Sequence, residues 1–215
     1  MQGEGGINVA SLPWLKRLRE ITAVRGILLI LDEIQAGIGR TGKFFAFEHA
    51  DIVPDLVTVS KSISGSGLPM SLVLIRPDVD VWKPGAHTGT FRGNNLAFVS
   101  ARAALETYWA DDAFMKGVAA KSELLRAELE AIAAEHPELA FDVRGRGLFY
   151  GIATDVDRGL AGRISKQAFA RGLVIETSGA YDEVLKFLPS LTITEDELRA
   201  GLAIVRESLA AALAG

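Results

Sequence analysis

The amino-acid sequence predicts an α/β fold in which a mostly parallel sheet is covered by helices. Two observations lead to this prediction. Short, wholly apolar runs at residues 27–31 and 56–59 stop abruptly at charged or polar residues, as buried parallel strands do. Amphipathic segments with the 3.6-residue period of a helix lie before and after these runs.

The first predicted element is a helix over residues 11–24. Ser11 can cap its N-terminus, and Pro13 suits its first turn because an N–H has no helical partner there. Three apolar side chains then fall on one face of the helix: Leu15, Leu18 and Ile21.

Three strands follow this helix in the predicted layout. Residues 27–31 read Ile-Leu-Leu-Ile-Leu and end at Asp32, and residues 56–59 end just before Ser60 and Lys61. Residues 71–75 form another apolar run, which we expect to be a third strand of the same kind.

The pattern changes after residue 95, where helices become longer and strands shorter. Helices are predicted at residues 96–109, 112–134, 165–171 and 194–213, and strands at residues 143–153, 173–175 and 187–191. Thr194 can cap the last helix, whose first turn is acidic. We therefore predict a parallel-sheet domain over residues 1–108 and a smaller α+β domain over residues 109–215.

The composition excludes several classes of protein. Of 215 residues, 49% are apolar and 23% are charged, which is an ordinary globular balance. The net charge of −4 is spread along the chain, so we expect no nucleic-acid partner. No apolar run reaches the roughly 18 residues of a membrane span, and residues 1–8 do not resemble a signal peptide. Cysteine is absent, which excludes disulfides, and a cytoplasmic location is the default expectation.

Charged residues follow two of the predicted strands. In open parallel sheets, ligands bind just beyond the carboxyl ends of the strands, where Asp32 and Lys61 are expected. A lysine amine shielded from water beside a carboxylate is a plausible nucleophile. From spacing alone, two ordinary rim charges in a weak ion pair explain the pattern equally well.

Residues 37–43, Gly-Ile-Gly-Arg-Thr-Gly-Lys, match two nucleotide-binding patterns in part. They fit the dinucleotide pattern G-x-G-x-x-G, and they fit the phosphate loop G-x-x-x-x-G-K up to its last position, which is Phe44 instead of a hydroxyl residue. Both motifs must follow a strand directly and open a helix. Residues 32–36 intervene here, and Pro54 leaves no room for a long helix, so a glycine-rich turn is the simpler interpretation.

The histidines and the segment at residues 88–95 are two further candidate sites. The three histidines, His49, His87 and His136, share no ligand spacing, so we expect no metal site. Residues 88–95 are polar and contain glycine, and they precede a helix, so they are suited to hold a phosphate through hydroxyl and backbone N–H groups. Taken alone, this segment is better explained as a plain helix-entry loop.

Taken together, these segments resemble the class III (ornithine and GABA-type) aminotransferases. Residues 31–42 are similar to the segment that holds the cofactor ring, residues 54–61 to the lysine strand, and residues 87–95 to the phosphate loop. Residues 143–148 and 188–194 are similar to strands of the small domain. The resemblance keeps order and spacing from end to end. It implies the C-terminal part of a fold-type I pyridoxal-phosphate-dependent transferase large domain, followed by a small α+β domain.

The resemblance also implies roles for single residues. Lys61 would form the Schiff base with the pyridoxal 5'-phosphate aldehyde and then move the proton between substrate and cofactor. Asp32 would keep the pyridine nitrogen protonated, and Gln35 would hydrogen-bond the ring hydroxyl or its surroundings. Thr90 would bind the cofactor phosphate of the neighbouring subunit, which implies a homodimer.

Substrate recognition is implied at two more positions. Lys186 stands where many relatives carry an arginine that grips an α-carboxylate, and it offers a point charge instead of a planar fork. Glu4 is a candidate to pair with Lys186 and gate it, and two separately solvated charges explain the same residues equally well. The substrates implied are an amino-acid donor and a 2-oxo acid acceptor. Segments such as residues 60–65 and 89–95 are most similar to members that act on 2,4-diaminobutyrate in ectoine synthesis.

The resemblance covers only part of such an enzyme. Family members are about twice this long, and their first half carries a Gly-Ser/Thr phosphate cradle and a ring-stacking aromatic that this chain lacks. Residues 1–6 resemble a mid-chain segment of the family. We therefore expect a C-terminal half that is inactive alone. The alternatives are a non-catalytic remnant or partner subunit that needs a second chain to complete the site, and a nucleotide-binding enzyme that uses residues 37–43.

Overall fold

The structure, a computed structural model, describes residues 1–90 and 92–214. The chain divides into two compact units. The three-stranded unit comprises Ala10–Gly39 and Lys43–Met115, and the four-stranded unit comprises Met1–Val9, Arg40–Gly42 and the described residues from Lys116 onward. These units are groups of residues that pack together, and they do not test the predicted domain boundary between residues 108 and 109, which stays a prediction.

The three-stranded unit contains two helices and three strands. They are α1 (Leu12–Val24), β1 (Ile30–Asp32), β2 (Leu56–Val59), β3 (Leu72–Ile75) and α2 (Asn95–Tyr108). Two 3-10 turns, Ala46–Ala50 and Lys61–Ser64, lie in the connections. The type and order of these five helices and strands agree with the sequence-based prediction.

The direction of the third strand does not agree with the prediction. β1 and β2 are parallel, with Asp32 opposite Thr58. β2 and β3 are antiparallel, with Val59 opposite Leu72. A parallel return needs a crossover of a dozen or more residues that is usually a helix. The connection over residues 60–71 contains only the short 3-10 turn, so the chain reverses direction instead.

β1 lies at one edge of this sheet and β3 at the other. The expected strand over residues 27–31 begins three residues later than predicted, at Ile30. Its expected burial on both faces is also wrong for the described chain. Ile30 is 58% exposed, and Ile27 and Leu28 before it are 53% and 50% exposed. An edge strand lacks the neighbouring strand that would help to cover these side chains.

α1 packs on the sheet connections through the face that its apolar period predicts. The Ser11 hydroxyl caps the helix by accepting the Trp14 N–H at 3.4 Å. Leu15 and Leu18, together with Leu12, pack against a buried cluster formed by Leu29, Ala50 and Ile52. Ile21, the third predicted member of this face, is 39% exposed.

A buried carboxylate ties the start of β2 to its surroundings. Asp55 accepts the Leu29 backbone N–H at 2.7 Å and the Arg19 guanidinium at 2.8 Å, and it also pairs with Arg76. Its side chain is only 2% exposed. Burial by itself raises the pKa of Asp55, but the Leu29 hydrogen bond and the Arg19 guanidinium outweigh it, so the pKa lies below its usual value.

The four-stranded unit contains four antiparallel strands and three helices. They are α3 (Ala113–Glu135), β4 (Asp142–Arg146), β5 (Phe149–Ala153), α4 (Leu160–Ala170), β6 (Glu176–Ser178), β7 (Val184–Phe187) and α5 (Glu195–Ala214). The first three residues of α3 are grouped with the three-stranded unit. The strand order is β4-β5-β7-β6. The loop Met1–Val9 contributes Ile7 to its core, against Phe149, Ala153 and Val184.

Three strand predictions in this unit need correction. The strand expected within residues 143–153 is found as two strands, β4 and β5, which form a hairpin because Gly147 turns the chain with a φ of 66°. Residues 173–175 precede β6, since the Leu173 N–H still bonds the Ala168 carbonyl at the end of α4. The strand expected over residues 187–191 ends at Phe187, just before Pro189, which has no N–H to continue a ladder.

The helices of this unit follow their predictions more closely. α5 begins with a capping box, in which Thr194 Oγ1 accepts the Glu197 N–H at 3.2 Å and Glu197 accepts the Thr194 N–H at 2.9 Å. α4 begins at Leu160, five residues before the predicted start at residue 165. Among the helices of residues 1–90 and 92–214, none is long and apolar enough to cross a bilayer.

Candidate active site

Asp32 and Lys61 follow the carboxyl ends of two adjacent parallel strands. Asp32 lies opposite Thr58 in the β1–β2 register, and the Glu33 N–H extends the pairing by bonding the Thr58 carbonyl at 2.9 Å. Lys61 comes three residues after Thr58, just beyond the end of β2. The structure therefore puts the predicted carboxylate and the predicted amine at the same edge of one sheet, which is where open α/β sheets bind ligands.

Lys61 has a strained backbone conformation. It opens the 3-10 turn Lys61–Ser64 with a φ of 54°, in the left-handed region that side chains other than glycine rarely adopt. Such conformations persist where the surrounding structure enforces them, and they cluster at functional sites. The Lys61 side chain is exposed, so the described chain does not supply the shielding from water that we expected.

The turn around Lys61 is fixed on both sides. The Ser60 hydroxyl donates to the Met70 carbonyl at 2.7 Å, and the Ser100 hydroxyl of α2 donates to the Ser64 carbonyl at 2.7 Å. Gly65 closes the turn with a φ of 72°, and a Cβ at this position would lie 2.4 Å from the Ala104 Cβ. These contacts hold the strained turn against α2.

Asp32 is exposed at the end of β1. Its Oδ1 accepts the Ile34 N–H at 2.9 Å, which fixes the carboxylate relative to the turn that follows. Gln35, the next predicted cofactor residue, lies in this turn and is half-buried.

Glu33 has a structural role that the sequence did not reveal. Its carboxylate is buried and accepts the N–H groups of Ala46 at 2.8 Å and Phe47 at 3.1 Å, at the start of the 3-10 turn Ala46–Ala50. Burial raises the pKa of Glu33, and the two N–H groups offset only part of that effect. Glu33 thereby fixes the aromatic segment at residues 44–47. Its three phenylalanines pack against a cluster that contains Val57 and Val59.

The glycine-rich segment does not have the geometry of either nucleotide motif. Residues 34–39 form consecutive turns, and Ile38 has a φ of 54°. A Cβ on Gly37 would lie 2.8 Å from the Glu33 carbonyl oxygen, so this glycine allows the chain to fold back closely on itself. The only helical element between β1 and β2 in this described part is the short 3-10 turn, whereas both motifs need a helix.

Thr90 lies in an exposed segment, since every residue from 81 to 90 is exposed. Phe91, which belongs to the predicted phosphate loop, lies outside the described residues. Beyond it, Asn94 caps α2 by accepting the Leu96 N–H at 3.1 Å. A cavity of about 310 Å³ adjoins this cap and is lined by Ser60, Met70, Ser71, Arg92, Asn94 and Phe98.

Glu4 and Lys186 are in direct contact within the four-stranded unit. Lys186 Nζ lies 3.0 Å from Glu4 Oε1, and it also lies 2.9 Å from Glu176 Oε2. The Lys186 side chain is 3% exposed, whereas both glutamates are about 70% exposed. Burial lowers the pKa of Lys186, but the hydrogen bonds that it donates to Glu176 and Glu4 outweigh this effect, and the net shift is upward. Glu176 was not foreseen, because its pairing depends on the β6–β7 register.

Among the described residues, no group of three or more His, Asp or Glu side chains is arranged to hold a metal ion. The arrangement at the sheet edge consists instead of one amine and one carboxylate on neighbouring strands. Such a pair suits an organic cofactor that takes a covalent bond at one end and a charge-assisted hydrogen bond at the other.

Comparison with known proteins gives a consistent result. The model of the family "Aminotransferase class-III" matches residues 1–209. A diaminobutyrate–2-oxoglutarate transaminase from Bordetella parapertussis is 57% identical over 213 residues, which are 99% of this chain and 49% of that protein. The chain thus spans about half the length of the curated relatives it matches.

Solved structures show the same relationship. An N-acetylornithine aminotransferase from Stenotrophomonas maltophilia matches with a TM-score of 0.86 and 40% identity, over 100% of this chain and 55% of that one. A lysine aminotransferase from M. tuberculosis matches with a TM-score of 0.89 and 29% identity, over 99% of this chain and 48% of that one. The fold is therefore part of a fold-type I transferase, and the chain belongs to the class III aminotransferases, a family that depends on pyridoxal phosphate.

Proposed function

We propose that this chain carries the lysine half of a transaminase active site. The observation that supports this most directly is the placement of Lys61, with its strained backbone, beside the strand that ends in Asp32. The reaction proposed is transfer of an amino group between an amino acid and a 2-oxo acid.

The residues present fit pyridoxal 5'-phosphate. Lys61 Nζ is an exposed amine at a strand end, suited to bond the cofactor's carbonyl carbon, and the exposed Asp32 carboxylate is suited to hold the protonated ring nitrogen. Gln35 would bind near the ring hydroxyl. The cofactor, when bound, supplies an electron sink for the carbanion formed at the substrate carbon.

The protein's own contribution is positioning and proton transfer. Lys61 would act as the base that takes the proton from the substrate carbon and as the acid that returns it. A carboxylate beside the ring nitrogen raises the pKa of that nitrogen, so Asp32 would keep it protonated. The Ile34 N–H bond to Asp32 keeps the carboxylate in place while it does so.

The substrates proposed are 2,4-diaminobutyrate and aspartate semialdehyde, with glutamate and 2-oxoglutarate as the second pair, in ectoine synthesis. The support for this pairing is the 52–57% identity to proteins named diaminobutyrate–2-oxoglutarate transaminase. Lys186 and Glu4 are the proposed substrate-binding residues, and their 3.0 Å contact supports a gated site.

We further propose that the active form is a cytoplasmic homodimer in which Thr90 reaches the cofactor phosphate of the neighbouring subunit. Its exposure and that of the whole segment from residue 81 to 90 support this role. Because the chain spans half of its relatives, we propose that it is inactive without the remaining half. The second candidate is a non-catalytic remnant or a partner subunit whose site is completed by another chain.

Absorbance spectroscopy with added pyridoxal phosphate tests the proposal. We expect the purified chain to give the band of a lysine-bound cofactor, and we expect Lys61→Ala to abolish it. Lys43→Ala is the matched control, since Lys43 is also exposed and belongs to the same unit. A band that survives Lys61→Ala would overturn the assignment of Lys61. A band that forms only after the first half of the Bordetella relative is added would favour the second candidate.

A further inference from the structure

Lys186 lies at the centre of a group of three charges on the four-stranded sheet. Glu176 lies directly opposite Lys186 in the β6–β7 register, and its Oε2 is 2.9 Å from Nζ. Glu4 approaches from the loop Met1–Val9, with its Oε1 3.0 Å from Nζ. The two glutamates differ in attachment, because one is on a hydrogen-bonded strand and the other is on a loop.

The Lys186 ammonium needs at least one of these partners. Its side chain is 3% exposed, and an ammonium that is buried without a partner is strongly destabilised. If Glu4 alone paired with Lys186, release of Glu4 would leave the charge uncompensated, and the ammonium would lose its proton or turn out to solvent. In either case, release of Glu4 would not leave a charged Lys186 in place to bind a substrate carboxylate.

We propose that Glu176 is a positioning residue that holds the Lys186 ammonium on β7 while Glu4 releases it. The Glu4 backbone is itself fixed, since its carbonyl accepts the Gly179 N–H at 3.0 Å, so only the exposed Glu4 carboxylate has to move. Lys186 then keeps one ion pair and presents an N–H to a substrate carboxylate. This inference rests on the proposed role of Lys186 in substrate binding.

The consequence for specificity is a weakened grip on carboxylates. With Glu4 released, Lys186 and Glu176 together are neutral, whereas an unpaired cation would attract an anion more strongly. The two exposed glutamates make the electrostatic effect modest, equivalent to roughly a fivefold change in carboxylate affinity for an exposed pair worth about 1 kcal/mol.

The test follows the titration of Lys186 by NMR of lysine labelled with ¹³C at Cε, assigned with Lys186→Arg. In Glu4→Gln, we expect the pKa of Lys186 to stay above its usual value, because Glu176 remains. In the double variant Glu4→Gln with Glu176→Gln, we expect the pKa to fall below its usual value. The rate of amine modification at fixed pH should then rise at least about tenfold, as one pKa unit requires. In Glu4→Gln alone, the rate should rise by no more than about fivefold, which corresponds to the loss of one exposed ion pair.

The control pairs Glu4→Gln with Glu138→Gln, which removes an exposed carboxylate of the same unit that contacts His136 instead. A pKa of Lys186 that drops below its usual value in Glu4→Gln alone would overturn the proposal, and so would a double variant that matches the single one. The Glu4→Gln measurement decides by itself if the double variant does not fold. Restoring a carboxylate with Glu176→Asp should recover part of the shift. These measurements use no cofactor, so failure of Lys61 to bond pyridoxal phosphate would leave their result unaffected.

Discussion

The Asp55 carboxylate, at the start of one strand, accepts the Leu29 N–H at 2.7 Å just before the neighbouring strand begins. With Arg19 and Arg76 as further partners, it fixes β1 relative to β2, and therefore fixes where Asp32 and Lys61 stand at the other end of the sheet.

We expect Asp55→Ala to destabilise the three-stranded unit by about 3–5 kcal/mol, because it leaves two arginines and a buried N–H without their acceptor. The chain's three tryptophans, Trp14, Trp82 and Trp109, all belong to this unit, so urea denaturation followed by tryptophan fluorescence measures the change. Asp80→Asn, at an exposed position of the same unit, is the control and should change the stability by less than about 0.5 kcal/mol. An effect of Asp55→Ala as small as that of the control would contradict the role given to this network.

Asp55 also predicts a pH dependence. Its pKa is lower in the folded chain than the usual value of 3.8, so the unfolded chain binds its proton first as pH falls. Its contribution to stability is therefore complete above pH 3.8 and is lost as pH falls through the folded-state pKa. Asp55→Asn should show a flatter stability profile below this pH than wild type, and profiles of equal slope would count against the assignment.

Glu33 should behave in the opposite sense. Its pKa is raised by burial, so its contribution is complete below the usual value of 4.5 and is lost as pH rises through the folded-state pKa. We expect Glu33→Gln to destabilise the unit by about 1–3 kcal/mol, since the two backbone N–H groups bond two different carboxyl oxygens and an amide offers only one oxygen. The loss should be larger at pH 4 than at pH 7, measured by the same fluorescence assay. A loss that grows with pH would show that the carboxylate is stabilised in its charged form.

The backbone conformation of Lys61 is expected to lower the stability of the fold, although the proposed function needs a lysine at this position. Its φ of 54° suits glycine, so Lys61→Gly should be more stable than Lys61→Ala by about 1 kcal/mol, although both remove the amine. Comparing these two variants isolates the backbone effect from the loss of the side chain. Equal stability of the two variants by urea denaturation would mean that the turn relaxes and that Lys61 is not held in this conformation.

Gly147 should tolerate no side chain. A Cβ there would lie 2.4 Å from the Arg40 carbonyl oxygen, and that oxygen accepts the Leu148 N–H at 3.0 Å. We expect Gly147→Ala to destabilise the four-stranded unit by at least about 3 kcal/mol. Gly172→Ala is the control, because Gly172 also has a positive φ, of 86°, but has open space around it. Its cost should be about 1–2 kcal/mol, from backbone strain alone. Hydrogen exchange at the Leu148 amide distinguishes the two.

Elements with strong local signals were predictable from the sequence. Ser11 and Thr194 identify the caps of α1 and α5. The ends of β1 at Asp32 and of β2 at Val59 follow from apolar runs that stop at polar or charged residues. The direction of β3 was not predictable from its own residues, because it depends on what the connection contains. The end of β7 at Phe187, by contrast, agrees with a local signal, because Pro189 has no N–H to continue a ladder.

The candidate site was predictable in its residue types but not in its contacts. Lys186 and Glu4 were expected to meet, and they do so at 3.0 Å, but Glu176 became visible only with the β6–β7 register. The role of Glu33 could not be predicted, because successive strand residues face opposite sides and the sequence does not say which side is covered. The positive φ of Lys61 could not be predicted, because lysine rarely adopts this conformation.

The exposed edge of β1 has a consequence for handling the protein. Ile30, and Ile27 and Leu28 before it, have exposed apolar side chains. They lie on or next to the edge strand, whose outer backbone N–H and C=O groups face no further strand of this sheet. Such an edge is a template for intermolecular sheet growth, and β-rich association increases with concentration. We therefore expect the chain to aggregate faster at higher protein concentration. A charged substitution at the edge, such as Ile30→Lys, should slow this aggregation.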